Sequence, residues 1–112
     1  MHEASIVRDL LSLVSDRAGR DARVLEVHVD VGRLTGVSPD ALTFYFDALR
    51  DDALGPQARL DARLIPLRGA CRDCRSVVEL EELAWACASC GGRLLFQNGS
   101  ELTLRRLVVD HD

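Results

Sequence analysis

The chain has 112 residues, of which 47% are hydrophobic and 29% charged, and its formal net charge is -4. This composition is typical of a globular protein, and the length fits one domain, or one small domain with a metal-stapled appendage. The acidic balance, in a chain without lysine, argues against a nucleic-acid partner, whose phosphates need a basic face. No apolar stretch approaches the roughly 20 residues of a membrane span, and no secretory signal begins the chain. We therefore expect a cytoplasmic protein with no membrane partner.

The N-terminal part of the chain is predicted to form a helix and then a strand. Over residues 4–18, apolar side chains recur at steps of three and four, which predicts an amphipathic helix that stops at Gly19. Residues 24–31 alternate between apolar and polar, which is typical of a half-buried strand. We expect His28, on the polar face, to be solvated. The expected inward residues of the strand are Leu25, Val27, Val29 and Val31.

A second helix and a second strand follow. Residues 32–37 are a connector, after which Ser38 is the predicted N-cap of a helix whose first residue is Pro39. Its buried side is marked by Leu42, Tyr45, Phe46 and Leu49. Residues 58–65 alternate as a strand that Pro66 ends, with Ala58, Leu60, Ala62 and Leu64 expected on one face.

The last third of the chain holds a cysteine-rich module and a final strand. Residues 69–92 carry the cysteines, residues 97–100 predict a turn, and residues 101–109 predict a strand. The inward face of that strand changes between Leu104 and Leu107, which indicates a bulge or twist. The simplest packing is a small sheet covered by helices, with the cysteine module inserted between two of its strands.

The four cysteines form two C-x-x-C pairs, Cys71 with Cys74 and Cys87 with Cys90, separated by twelve residues. In such a pair both sulfurs can face one point, as tetrahedral zinc requires. Four thiolates complete the shell, so the pattern predicts one structural zinc ion that does not catalyse. The arginines nearby in sequence are expected to offset the negative charge of the cluster. They are Arg68, Arg72, Arg75 and Arg93.

Other interpretations of the cysteines stay open: four free buried thiols, a redox dithiol, or iron in a rubredoxin-like site. Disulfides are disfavoured in a cytosolic chain, because that compartment keeps thiols reduced. The module has few apolar residues of its own. Metal binding, worth ~10–16 kcal/mol in small zinc modules, is therefore expected to fold it.

The N-terminal residues offer a second set of metal donors. The Met1 amine, the His2 amide nitrogen and the His2 imidazole can close adjacent chelate rings on one ion, and planar nitrogen donors suit Ni(II) or Cu(II). The first N–H groups of a helix lack intrahelical partners, so a metal could use them at no cost to the helix. Glu3 could add a carboxylate, or could only favour the helix dipole. The competing interpretation is that His2 is an ordinary surface residue at a frayed terminus.

These residues, taken in order along the chain, resemble the HypA/HybF family of hydrogenase-maturation nickel metallochaperones. The resemblance covers essentially the whole chain. It rests on Met1-His2-Glu3 followed by Ser5, on residues 31–39 (V-G-R-L-T-G-V-S-P), on Leu64-Ile65-Pro66, on the two cysteine pairs, and on Asn98-Gly99-Ser100-Glu101-Leu102. No histidine flanks the cysteine pairs, unlike in some members of the family. The resemblance therefore gives no support for pH sensing or extra metal binding by the cysteine module.

The resemblance implies an α+β fold, with two helices on a small three-stranded antiparallel sheet and an inserted zinc-ribbon-like module with rubredoxin-like knuckles. The nickel-binding domain would comprise residues 1–66 and 97–112, and the zinc-binding domain residues 67–96. It implies that His2 is the essential nickel ligand, helped by the Met1 amine with Glu3 adjacent, and that the zinc ligands are the four cysteines.

The resemblance also implies a function and partners. The chain would deliver nickel to the large-subunit precursor of [NiFe]-hydrogenase together with a HypB-like GTPase, and some relatives also serve urease. It would not be an enzyme, and no catalytic residues are expected. A homodimer is compatible with this sequence, as is a monomer. Three rival functions stay open: a nucleic-acid-binding zinc ribbon, a thiol redox enzyme, and an adaptor that uses zinc only for folding.

Overall fold

The computed structural model describes residues 3–111, and Met1, His2 and Asp112 lie outside the described residues. Two helices and six strands follow one another, with a 3-10 turn at Arg33–Thr35 after the first strand. The helices are α1, Glu3–Ala18, and α2, Pro39–Ala53. The strands are β1, Ala22–Gly32; β2, Arg59–Ile65; β3, Leu67–Cys71; β4, Val77–Leu80; β5, Leu94–Phe96; and β6, Leu102–His111.

The first sheet has the strand order β2-β1-β6, so β1 is its central strand. β6 runs antiparallel to β1, as expected, but β2 runs parallel to it, so the prediction of an all-antiparallel sheet was wrong for this pair. The reason is the connection: α2 carries the chain back across the sheet before β2 begins, and such a crossover joins parallel strands. Alternating apolar residues look the same in either direction, so the sequence pattern could not distinguish the two.

The main core lies between this sheet and the two helices. Val7, Leu11 and Val14 on α1 face Leu42 and Phe46 on α2, and all five are buried. Ser38 caps α2, because its hydroxyl accepts a hydrogen bond from the Ala41 N–H at 3.2 Å. Both helices therefore begin and end within a residue or so of the predicted bounds. The other buried residues of this core are Val24, Val27, Val29 and Val31 on β1, and Val37 and Ala58 outside the strands.

Two bulges set which strand residues face that core. Val24 and Glu26 of β1 oppose the consecutive residues Val109 and Val108, so Leu25 is an extra residue. This bulge puts Val24 into the core, whereas Leu25 had been expected there. In β6 the extra residue is Arg105, which confirms the predicted bulge between Leu104 and Leu107. Leu64, also expected inside, lies near the end of β2 and is exposed.

The outer face of the first sheet carries ion pairs that shield His28 and Asp30 from solvent. The His28 side chain is only 12% exposed. Its Nε2 lies 2.8 Å from Glu26 Oε1, and its Nδ1 lies 3.1 Å from Asp61 Oδ2 on β2. Asp30 contacts Arg63 at 3.2 Å and Arg105 at 3.0 Å. The expectation that His28 is solvated was wrong, because charged neighbours on adjacent strands cover it.

The second sheet is antiparallel, has the strand order β4-β3-β5, and includes the cysteine module. The chain enters it at Pro66 and returns at Gln97, so it is inserted between β2 and β6 of the first sheet. The Asn98 side chain joins the outgoing and returning segments. Its Oδ1 accepts from the Arg68 N–H at 2.7 Å, and its Nδ2 donates to the Pro66 carbonyl at 3.1 Å.

Glycines allow the backbone to pass closely at this joint. The Gly32 N–H donates to the Glu101 carbonyl at 2.7 Å, and the Leu34 N–H donates to the Gly99 carbonyl at 2.8 Å. Gly99 has a φ of 124°, and a Cβ there would lie 2.8 Å from the Leu67 side chain. A Cβ on Gly32 would overlap the Gly99 carbonyl oxygen. The segments at residues 32–34 and 98–101 therefore lock together through backbone hydrogen bonds.

We expect Gly32→Ala to lower the free energy of unfolding by about 1–3 kcal/mol, because the new methyl group forces the Gly99 backbone away. Gly32 has a φ of -76°, which any residue tolerates, so this loss is purely steric. Gly36→Ala is the control. The φ of Gly36 is 73°, and no atom lies within 4 Å of the position of the added methyl group. The only expected effect is therefore backbone strain of about 1–2 kcal/mol. Urea denaturation of the metal-loaded protein, followed by circular dichroism, measures both. A Gly32→Ala variant as stable as the parent would contradict the described joint.

Candidate metal centre

The four cysteine sulfurs converge on one point beside the second sheet. Cys71 is the last residue of β3, Cys74 lies in the turn to β4, and Cys87 and Cys90 lie in the loop before β5. All four sulfurs lie within 4.8 Å of one another. The Sγ atoms of Cys71 and Cys90 are 3.4 Å apart, and those of Cys74 and Cys87 are 3.8 Å apart. Four sulfurs about 2.3 Å from a tetrahedral metal are themselves about 3.8 Å apart, so this arrangement fits an ion at the centre.

The two C-x-x-C segments have the same backbone form. In each, the N–H of the residue after the second cysteine donates to the carbonyl of the first cysteine: Arg75 to Cys71 at 3.0 Å, and Gly91 to Cys87 at 2.8 Å. Both of these residues have left-handed backbones, with φ of 64° at Arg75 and 77° at Gly91. The glycine adopts this conformation freely, whereas the arginine does so at a cost. Arg75 is the one non-glycine residue with positive φ in the described chain.

Hydrogen bonds at the centre come from backbone N–H groups and one hydroxyl. The N–H groups of Cys74 and Gly92 each donate to a cysteine sulfur at 3.4 Å, and Ser76 Oγ lies 3.3 Å from Cys74 Sγ. Within residues 3–111, no arginine side chain makes a hydrogen bond to a sulfur. Any offset of the cluster's charge by the nearby arginines therefore acts without a hydrogen bond to the sulfurs, and this offset stays a prediction. Sequence reasoning had missed Ser76, for which no pattern gave a signal.

Proton sharing among the metal-free thiols shows in their pKa values. Hydrogen bonds from the Ser76 hydroxyl and backbone lower the pKa of Cys74 to about 6. Backbone hydrogen bonds from Cys90 and Ser89 also lower the pKa of Cys87. A backbone hydrogen bond from Gly92 favours the Cys90 thiolate, but the neighbouring thiols of Cys71 and Cys74 outweigh it and raise the pKa of Cys90 to about 12. Cys74 and Cys87, whose pKa values are lowered, can therefore bind a cation as thiolates. The bound cation displaces the protons of the other thiols.

The donor set decides what the centre can do. Four soft thiolates at tetrahedral spacing suit zinc and leave no coordination position for water or substrate. Cys71 and Cys87 are buried, so these two cysteines also belong to the core of the module. The centre therefore has the features of a structural zinc site and lacks those of a catalytic one.

Comparison with known proteins identifies the family. A family model described as "Hydrogenase/urease nickel incorporation, metallochaperone, hypA" matches residues 1–109. The chain belongs to the HypA family. The hydrogenase maturation factor HypA of Rhodobacter capsulatus is 38% identical, over 97% of this chain and 99% of that protein. The HypA of Albidiferax ferrireducens is 35% identical, over 98% of this chain and all of that protein.

The fold is also that of HypA. The solution structure of the nickel metallochaperone HypA from Helicobacter pylori has a TM-score of 0.67 and 25% sequence identity, and all of both chains is covered. The α+β fold with a zinc-ribbon-like module is thereby confirmed, apart from the parallel pairing of β1 with β2. Within the described residues, neither helix is long and apolar enough to cross a membrane.

Of the three residues predicted to bind nickel in this HypA-family chain, Glu3 lies within the described residues, and it does not belong to the cysteine cluster. Glu3 is the first residue of α1, whereas Met1 and His2 lie outside the described residues. A short connection at residues 19–21 turns the chain from α1 into β1, so α1 runs back along the sheet. Its first two turns therefore lie near the end of β1, where Ile6 lines the same cavity as Leu102. The N-terminus of α1 and the joint to the cysteine module are at the same end of the first sheet.

We expect Arg75→Gly to tighten metal binding, because it removes the left-handed strain. The strain is about 1–2 kcal/mol, and the greater freedom of glycine in the unfolded chain offsets part of it. A net gain of about 0.5–1 kcal/mol raises the apparent zinc affinity about two- to fivefold, since folding of the module and metal binding are coupled. Competition against a chromophoric chelator measures this. Arg72→Gly removes the same charge without relieving strain and should not tighten binding. Equal effects of the two substitutions would refute the argument.

Proposed function

We propose that this chain is a nickel metallochaperone that binds Ni(II) at its N-terminus and delivers it to the large-subunit precursor of [NiFe]-hydrogenase. The Met1 amine, the His2 amide nitrogen and the His2 imidazole hold the ion, and Glu3 adds a carboxylate beside it. A HypB-like GTPase takes part in the transfer. The protein acts in the cytoplasm as a carrier and not as an enzyme. The observation that carries the proposal is the HypA-family match along residues 1–109.

The position of α1 supports a metal at this end of the chain. The helix begins at Glu3, so the N–H groups of its first turn have no carbonyl partners within the helix. Deprotonated backbone nitrogens just ahead of the helix can bind a metal without breaking a helical hydrogen bond. Glu3 lies in the first turn, where a carboxylate also interacts favourably with the helix dipole. The proposed nickel donors are nitrogen and oxygen atoms, which suit Ni(II). The four cysteine sulfurs belong to the module of the second sheet.

We further propose that the ion at the four cysteines is zinc and that its role is to fold the module. The four sulfurs leave no open position, so this ion neither exchanges with the nickel nor activates water. Residues 67–96 then form a zinc-binding domain, and residues 1–66 with 97–112 form the nickel-binding domain. The separate sheets, joined at Pro66 and Asn98, support this division.

The main alternative is a zinc-ribbon adaptor or nucleic-acid-binding module with no nickel transfer. The four-cysteine centre alone is compatible with it. The net charge of -4 disfavours nucleic acid, because binding to phosphates depends on neutralising basic side chains. Nickel binding at residue 2 distinguishes the carrier from all of these alternatives.

The purified protein should contain one zinc ion per chain by elemental analysis. Cys74→Ser should lose that ion, because three thiolates and a hydroxyl make a much weaker site, and the module should unfold. The first sheet should remain folded, since its core does not include the cysteines. Ser89→Ala, inside the second C-x-x-C pair but not a ligand, should keep the zinc. A parent protein without zinc would exclude the proposed structural site.

Nickel affinity, measured by calorimetry on untagged protein, should fall at least tenfold in His2→Ala, with zinc content and circular dichroism unchanged. A short tag ahead of Met1 should have a similar effect, because it converts the amine to an amide. The affinity should also fall below neutral pH. Imidazole and the α-amine have reference pKa values of ~6.5 and ~8, so protons then compete with nickel for both. His111→Ala, in an exposed residue at the other end of the chain, is the control. If His2→Ala binds nickel like the parent, the carrier mechanism is wrong.

A further inference from the structure

The second sheet has one packed face and one open face. The side chains of Leu67, Cys71 and Leu94 point to the packed face and are buried. Because side chains alternate along a strand, the residues between them point to the opposite side. No other part of the described chain covers that side, and its residues are exposed or half-buried. This side, called here the Leu95 face, consists of Arg68, Ala70, Val77, Glu79 and Leu95.

An apolar row crosses the Leu95 face. Ala70 on β3 is paired with Val77 on β4 and with Leu95 on β5, so the three side chains lie side by side. Val77 is 60% exposed and Leu95 is 51% exposed. Large apolar side chains that stand together in water are typical of surfaces that contact other proteins, whereas single ones are common everywhere. The row is therefore a candidate contact surface.

Arginines border this row at the knuckle end of the sheet. The Arg72 N–H donates to the Arg93 carbonyl at 2.9 Å, directly beyond the Cys71–Leu94 pair, so the two residues are neighbours at this end of the sheet. Arg93 is exposed between the buried residues Gly92 and Leu94, which places it on the side of Leu95. Arg75 lies in the same turn as Arg72. Among residues 3–111, Arg75 and Arg93 have no carboxylate within 4.0 Å, and Arg72 has only its neighbour Asp73, at 3.8 Å. These three guanidinium groups are concentrated in a chain whose net charge is negative.

No interaction within the described residues accounts for these three arginines. Had they neutralised the four-cysteine centre directly, they would contact its sulfurs, but the hydrogen bonds there come from N–H groups and Ser76. Arg75 also occupies a left-handed position that glycine would fill at lower cost. Their charge is therefore available to a partner. The module has four acidic residues. Asp73 lies beside Arg72, whereas Glu79, Glu81 and Glu82 lie at or beyond the end of β4, toward the opposite end of the sheet.

We propose that the Leu95 face, with Arg72 and Arg93, is a docking surface for an acidic, extended segment of a partner protein. Adjacent pairs on one face of a strand are about 7 Å apart. A strand with an apolar side chain at one position and a carboxylate two residues later has the same spacing. Such a segment would cover the apolar row while its carboxylates reach the arginines. The proposal goes beyond nickel transfer and does not depend on nickel binding at His2.

The combination of positive charge and apolar surface distinguishes this occupant from nucleic acid, and the oligomeric state of the parent distinguishes it from a second copy of the chain. A nucleic acid would satisfy the arginines but leave Val77 and Leu95 without apolar contacts. An acidic segment with apolar side chains satisfies both features of the surface.

The test is fluorescence anisotropy with a labelled peptide of about twelve residues that repeats Leu-Ser-Glu-Ser, a spacing matched to the sheet. It is titrated with the zinc-loaded full chain. We expect the peptide to bind with an affinity that weakens as salt is added. The affinity should fall at least tenfold in Arg72→Glu/Arg93→Glu and about fivefold in Leu95→Ser. Arg59→Glu and Phe44→Ser, which change exposed residues of the other sheet and of α2, are the matched controls and should bind like the parent. Zinc content and circular dichroism confirm that each variant is folded.

Several results would overturn the proposal. One is the absence of peptide binding by the parent; another is equal binding of a Leu-Ser-Gln-Ser peptide, which lacks the charge. A loss in Arg59→Glu as large as that in the double variant would show nonspecific charge attraction. A parent dimer that Leu95→Ser dissociates would assign the face to a second copy, and tighter binding of a single-stranded oligonucleotide would assign it to nucleic acid. Failure of nickel binding in the same samples would leave this test unaffected.

Discussion

The convergence of four cysteine sulfurs is the constraint on which the second sheet depends. Among the described residues, the small core around the sulfurs adds to Cys71 and Cys87 only the buried Leu94, with Val78 and Leu80 packed beside it, and Leu67 is buried at the joint. The first sheet has a much larger buried core, shared with both helices. Hydrophobic burial can therefore stabilise the first sheet, whereas the second needs the free energy of metal binding. If a metal folds the module as proposed, the Leu95 face depends on that metal, because the face is formed by β3, β4 and β5.

The joint determines how this metal-dependent sheet is attached. The Asn98 side chain bonds to Pro66 and Arg68, on either side of Leu67, and thereby binds the returning strand segment to the outgoing one. The backbone of Gly32 bonds to that of Glu101 at the end of the central strand. A further ion pair, Arg33 with Glu81 at 3.2 Å, crosses between the sheets. Because α1 begins at the same end, Glu3 and the joint to the module lie toward the same end of the first sheet.

Local patterns predicted much of the structure, and contacts distant in sequence account for the errors. Helical periodicity, the Ser38 cap and the C-x-x-C spacing each depend on neighbouring residues, so α1, α2 and the metal centre could be predicted. The direction of β2, the Leu25 bulge and the carboxylates around His28 depend on which strands are adjacent. Asn98 looked like an ordinary turn residue, because its partners lie some 30 residues earlier. The nickel ligands Met1 and His2 stay predictions.

We propose that two metals are separated by the chemistry of their donors. The four thiolates beside the second sheet would hold zinc permanently, and nitrogen donors at residues 1 and 2 would hold nickel reversibly. X-ray absorption at both edges, on untagged protein loaded with one equivalent of each metal, tests this separation directly. We expect the zinc edge to show four sulfurs at about 2.3 Å, and the nickel edge to show nitrogen and oxygen ligands only. Sulfur ligands on nickel would place both metals at the cysteines and contradict the account.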